Sequence, residues 1–156
     1  SGEKADFIHI DDYNDKTIIS LIHIKAANSK SSNRRVSVGA HDIVLSQAVK
    51  NLRYSIRKNL VQDLTERTLN SKNKMCWYEN KLIQPSEFIN KLSLLNTNPN
   101  KIKTRVIVIQ PHTTKNYYTK TQDNNIKRQL DVLLVSSDNA IKSSGAEFHI
   151  IGLNDD

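Results

Sequence analysis

Asp6, His23 and Lys25 are the residues whose types and spacing best suit chemistry in this chain. They close the ends of two apolar runs in "DFIHIDDYNDKTIISLIHIKA", residues 6–26. Side chains along a strand alternate between faces. Ile19, Leu21, His23 and Lys25 therefore share one face of the second run, and Ile18, Ser20, Ile22 and Ile24 share the other. In the first run Asp6, Ile8 and Ile10 share a face. An antiparallel pairing across the loop at 12–17 sets Asp6 opposite His23 or Lys25. The strands then build an apolar surface from Ile8, Ile10, Ile19 and Leu21 and gather a carboxylate, an imidazole and an ammonium at its far end. Such groups can move protons and neutralise developing charge. The same three residues also suit a simple ion pair of Asp6 with Lys25 at an exposed sheet edge, worth under about 1 kcal/mol, with His23 bonded to a neighbouring carbonyl.

The elements that must hold this cluster follow from periodicity. Residues 6–11 and 18–26 read as the two strands of a hairpin. A basic, Ser-rich link, "NSKSSNRR", leads to "HDIVLSQAVKNLRYSIRKNLVQDLTER" at 41–67, where Leu45, Ala48, Val49, Leu52, Ile56 and Leu60 fall at helical spacing and Asp42 suits the first turn. Residues 62–104 read as an insertion or lid with a short strand in "CWYENKLIQ" and a short helix after Pro85. "TRVIVIQP" is a strand expected to be buried on both faces and stopped by Pro111. After a polar loop, Ile126, Leu130, Leu133, Leu134 and Ile141 mark another helix, with Gly145 as its C′ residue. "EFHIIGL" closes as a strand. The order predicts an α/β domain with a mixed sheet.

With 156 residues the chain has the length of one domain, able to bury a sizeable core. Its formal charge of +7, from 23 Lys and Arg against 16 Asp and Glu, favours encounter with an anionic polymer, although many folded domains are mildly basic. Cys76 is the single cysteine, so no internal disulfide can form, which suits a reducing compartment. Neither a membrane span nor a signal-peptide layout is visible, and a cytoplasmic protein is expected. The first strand begins so early that sequence upstream is expected to be missing. Cys76 has no neighbouring base, and no Gly-rich phosphate loop, zinc spacing or Ser-His-Asp signature is present. Trp77 and Tyr78 suit either packing or base stacking. His112 follows Pro111 at a strand end with nothing to pair with it in sequence.

The order of Asp, hairpin loop, strand ending in Lys, long helix, buried strand and helix resembles the PD-(D/E)XK nuclease superfamily. "GEKADFI" followed by "LIHIKA" is similar to nuclease domains attached to restriction and anti-phage helicases, in which His often stands where the superfamily has Glu. The motifs cover residues 3 to about 60, and the remainder resembles the family by topology. The resemblance implies a restriction-endonuclease-like mixed β-sheet flanked by helices over 1–156, and metal-dependent hydrolysis of DNA phosphodiester bonds in prokaryotic defence. It implies Mg²⁺ or Mn²⁺ held by Asp6, by Glu3 as a substitute carboxylate, by the backbone carbonyl of Ile24 and by His23. An imidazole ligand favours Mn²⁺, since Mg²⁺ prefers oxygen. Lys25 would position water or neutralise charge, and Gln47 would correspond to the helical Gln of exonuclease-like branches. His23 is open to three roles: ligand, water-orienting group or bystander. Arg34, Arg35, Arg53, Arg57 and Lys58 are the expected phosphate contacts, which position a strand without reading bases. Implied partners are DNA, with RNA not distinguished, a helicase, ATPase or other defence subunit, and a second copy of the chain. Because His23 replaces a carboxylate, the alternative is a degenerate nuclease fold that binds nucleic acid or protein without cutting.

Overall fold

The computed structural model begins with an antiparallel hairpin. Strand β1 (Phe7–Tyr13) and β2 (Lys16–Ile24) pair antiparallel up to Tyr13 opposite Lys16, with Asp15 at φ 63° in the turn. The expected loop at 12–17 is thus largely strand, and the Thr17 hydroxyl donates to Asp12 across it at 2.6 Å. The structure describes residues 5–13, 15–27, 34–55, 60–70, 75–95 and 98–153, apart from the side chains at 53–55 and 99.

Helix α1 (Val38–Ser55) follows, then α2 (Leu60–Asn70), a small hairpin of β3 (Cys76–Tyr78) and β4 (Lys81–Ile83), α3 (Pro85–Ser93), a 3-10 turn and β5 (Ile102–Ile109). A short α4 (Lys115–Lys120), α5 (Asn125–Ser143) and β6 (Glu147–Ile151) complete the chain. The single helix expected from 41 to 67 is two elements, because Leu60 and Leu64 serve a different part of the core from Leu45 and Ala48. With α1 starting at Val38, Asp42 lies beyond the first turn, where it accepts from the Ser46 hydroxyl. The turn between β3 and β4 has Glu79 and Asn80 both at positive φ, the geometry of a tight type I′ hairpin. Helix α5 ends as expected at Gly145 (φ 84°): the Gly145 amide donates to Lys142 O and the Ala146 amide to Ile141 O, a Schellman motif.

The main sheet has the order β1-β2-β5-β6, with β1 antiparallel to β2 and the other neighbours parallel. Register assigns the faces. Ile8 pairs with Leu21, Leu21 with Val106 and Val106 with Phe148, so all four point to one side. On that side α1 and α5 cover Val106 and Val108 with Val44, Leu45, Ala48, Leu52 and Ile141. Also on that side, α2 and α3 cover Ile8, Ile10, Ile19 and Leu21 with Leu60, Leu64, Phe88 and Leu92. Residues 62–104 therefore supply core as well as connection.

The opposite side of the sheet carries Phe7, Ile22, Ile24, Ile107, Ile109 and Ile151, all exposed or half-buried. Strand β5 is consequently buried on one face, not on two as its unbroken apolar run suggests. Toward the start of β5 the same side is charged, where Glu147 bonds Lys103 and Arg105 and its carboxyl is held down to about 2 by those two cations. Among the described residues no helix is long and apolar enough to cross a membrane.

This one-sided layering sorts substitutions by parity. Leu45→Ala, at a site with no exposed surface, is expected to cost about 2–5 kcal/mol. Ile151→Ala on the open side should cost under about 1 kcal/mol. Urea unfolding of both variants checks the assignment.

Candidate functional site

Parallel strands end their chemistry at their carboxyl edge, where side chains escape the packed layer. Here β2 and β5 end side by side, and the Lys25 amide donates to Ile109 O at 2.9 Å, carrying the ladder one step beyond the strands. On the other side of β2 the Asp6 amide donates to Ile22 O at 3.0 Å. Extending the β1–β2 register sets Asp6 opposite His23, one of the two positions expected from the sequence. The Asp6 carboxylate then accepts the Ile24 amide at 2.7 Å, supplying an acceptor where the first strand runs out. Both main-chain groups of a strand residue point toward the same neighbour. The Ile24 carbonyl is therefore directed to the Asp6 side.

His23 is buried, with 2% of its surface exposed, and its Nε2 has no hydrogen-bond partner. Burial lowers its pKa below the ordinary imidazole value, and the Asp6 carboxylate partly opposes that shift. The ring is thus neutral near pH 7. Lys25 is half-buried two residues on, along the same face by alternation.

A second group reaches this end of the sheet from elements far apart in sequence. His112, in the loop after β5, hydrogen-bonds the backbone of Ala26 and feels the charges of Arg34 and Lys25. His41, in the first turn of α1, is buried, holds Ser37 O at 2.7 Å through Nδ1, and interacts with His112. Burial lowers the pKa of both rings. For His112 the charges of Arg34 and Lys25 lower it further against the Ala26 bond, while for His41 the Ser37 bond opposes burial and His112 adds to it.

The loop bearing His112 is braced. The Gln110 amide donates to Ile151 O at 3.0 Å, its side-chain Oε1 accepts from the His112 and Thr113 amides at 2.8 and 3.1 Å, and its Nε2 donates to Thr113 O at 3.2 Å. Gly152 fits closely beneath, since a Cβ there would lie 3.2 Å from Thr113 O.

The residues expected from sequence divide into those this end gathers and those it does not. Asp6, His23, Ile24 and Lys25 are contiguous across β1 and β2, and Arg34 joins them from the following loop. Arg35 is exposed. Gln47 is exposed on the flank of α1, and no described hydrogen bond links it to Asp6, His23 or Lys25. Its helix instead delivers His41, whose place at the head of the stripe Val44, Leu45, Ala48 was the available signal. Glu3, Arg57 and Lys58, and the side chain of Arg53, lie outside the described residues. Among the described residues no three His, Cys, Asp or Glu side chains form a metal-ligand group. Asp6 and His23 make a pair. Comparisons with protein families, with curated proteins and with solved structures found no match for this chain.

Three imidazoles held below their ordinary pKa make stability pH-dependent with a defined sign. The unfolded chain takes up protons near pH 6.5, where the folded rings resist them, so these residues add stability above that value and lose it as pH falls toward the folded values. Thermal unfolding at pH 7.5 and pH 5.5 should give the lower Tm at pH 5.5, by roughly 2–4 °C for each kcal/mol lost. His23→Gln should reduce the difference.

Proposed function

We propose that the chain is a restriction-endonuclease-like nuclease domain that hydrolyses phosphodiester bonds of DNA with a divalent metal. One observation carries the reading: the β1–β2 register brings the Asp6 carboxylate against the Ile24 amide and opposite a buried His23, with Lys25 next on the same face. The residues fit part of a divalent ion's shell. Asp6 offers a carboxylate, the Ile24 carbonyl points to its side, and His23 offers a neutral ring whose Nε2 is free of hydrogen bonds. A neutral imidazole is the protonation state that ligation requires. Glu3 is the further carboxylate proposed for the set. When bound, Mg²⁺ or Mn²⁺ would acidify water and neutralise phosphate charge.

The chain's own residues supply the rest. Lys25 is a compact cation fixed by its backbone bond to β5, suited to stabilising the charge that builds on a phosphate under attack. Arg34 and Arg35, with Arg53, Arg57 and Lys58, would hold the strand by its phosphates. A chain with this charge balance would meet its substrate faster at low salt. In a prokaryotic defence setting such a domain would act beside a helicase or ATPase subunit, as a single copy or a pair.

A second reading is favoured by His23 itself and by the absence of a three-ligand group among the described residues. On that reading the fold binds nucleic acid or protein without cutting it.

Incubation of linear and plasmid DNA, and of RNA, with Mg²⁺ and with Mn²⁺ tests the two. Metal-dependent cleavage, greater with Mn²⁺ and reduced roughly 10²–10³-fold in Lys25→Ala, is the expected outcome. Asp6→Asn should abolish cleavage, with circular dichroism reporting that the hairpin still forms. Salt-sensitive binding with no cutting under any metal selects the second reading.

A further inference from the structure

The β3–β4 hairpin has two unlike faces. Its register sets Cys76 opposite Ile83 and Trp77 opposite Leu82, and alternation puts these two pairs on opposite sides. On the first side Cys76 is buried and Ile83 half-buried. Tyr78 shares that side, and the Lys91 ammonium of α3 sits 3.4 Å from its ring centre. That side is therefore the one fastened to α3. Trp77 and Leu82 face away from the helix, 59% and 61% exposed, with Met75, 75% exposed, two residues before the indole. The two neighbouring aromatics, alike in sequence, thus have different places: Tyr78 is occupied, and Trp77 is open. Among the described residues no hydrogen bond or ring contact engages the indole.

One exposed apolar side chain is common on a protein surface. An indole, a leucine and a methionine side by side on a hairpin held by a two-residue turn make a platform. Its size decides what can cover it. Three residues of strand run roughly 10 Å, and Glu79, Asn80, Lys81 and Gln84 around it are polar and exposed. A stable protein partner needs about 800 Å² on each side, far more than this face offers. A single flat ring fits it. A nucleobase is such a ring, carried on an anionic backbone that a chain of charge +7 attracts.

We propose that Trp77, flanked by Leu82 and Met75, is the stacking platform for one unpaired base of a single-stranded DNA segment. The proposal rests on the nuclease reading and narrows its substrate class, since in a duplex the base faces are already stacked on one another. Helix α3, which carries the hairpin, also covers Ile8, Ile19 and Leu21 in the half of the sheet that ends at Asp6 and His23.

Trp77 is the only tryptophan in the chain, so its emission reports on the platform directly. Fluorescence titration in low-salt buffer without divalent metal, with an oligothymidylate, a duplex of the same length and a polyphosphate chain as probes, tests the proposal. Saturable quenching by the oligothymidylate is expected, with little from the duplex and none from polyphosphate, which has charge but no bases. By anisotropy of a labelled oligothymidylate, Trp77→Ala should bind about tenfold more weakly with an unchanged salt slope, because a stack and not a phosphate contact is lost. Trp77→Phe, which keeps a ring, should recover part of that loss. Binding of the oligothymidylate without quenching, equal quenching by polyphosphate, or unchanged affinity in a folded Trp77→Ala variant overturns the proposal. An emission shift that follows protein concentration and ignores the oligothymidylate gives the face to a second copy and overturns it as well. Its failure is separable from that of the nuclease reading: metal-dependent cleavage without quenching removes the platform alone, and quenching without cleavage under any metal removes the hydrolysis alone.

Discussion

Everything at the candidate site depends on β2 being paired along both edges. It is antiparallel to β1 on one side and parallel to β5 on the other, and the two registers agree on which of its side chains face the helices. A slip of one residue against either neighbour would turn Leu21 and Ile19 out of the core and carry His23 and Lys25 with them. Burial of the isoleucines and leucines is therefore what orients the polar pair. Hydrophobic energy spent on Ile8, Ile10, Ile19 and Leu21 fixes the direction of groups that contribute little to stability themselves.

The polar groups then differ in how far they are withdrawn from water. His23 is enclosed by the layer that orients it, whereas Asp6 is exposed and Lys25 half-exposed. Desolvation acts on the enclosed ring and keeps it uncharged, and the outer charges stay where an incoming anion or cation can meet them. On the neighbouring side burial acts on His112 and His41 in the same way, and the charges of Arg34 and Lys25 add to it at His112.

Much of this was legible in the sequence because strand alternation is a rigid rule. The shared face of Ile8, Ile10, Ile19 and Leu21, and Asp6 opposite His23 or Lys25, follow from a period of two across a hairpin, and the observed register selects His23. Helical periodicity informed less well. Ile56 and Leu60 continue the spacing of Leu45 and Leu52, so two helices that cover different core regions look like one. The apolar run of β5 suggested two covered faces, since composition cannot say on which side the helices dock. Helix α4 has six residues and none of them buried, so it left no apolar period to find, although Thr114 caps it by accepting from the Tyr117 amide. His112 was indecipherable because its partners come from three other stretches of chain. Only the closing of β5 against β2 brings them together.

The final strand has a part in this that its position at the chain's end conceals. Helix α5 passes into β6 through the Gly145 turn with almost no slack, and β6 in turn holds the Gln110 amide and sets Gly152 beneath Thr113. The tilt of a helix on one layer is thereby geared to the height of a histidine loop at the rim, as a lever is geared through a short, stiff link. Residues from Ile141 to Gly152 thus bear on where the His112 loop sits.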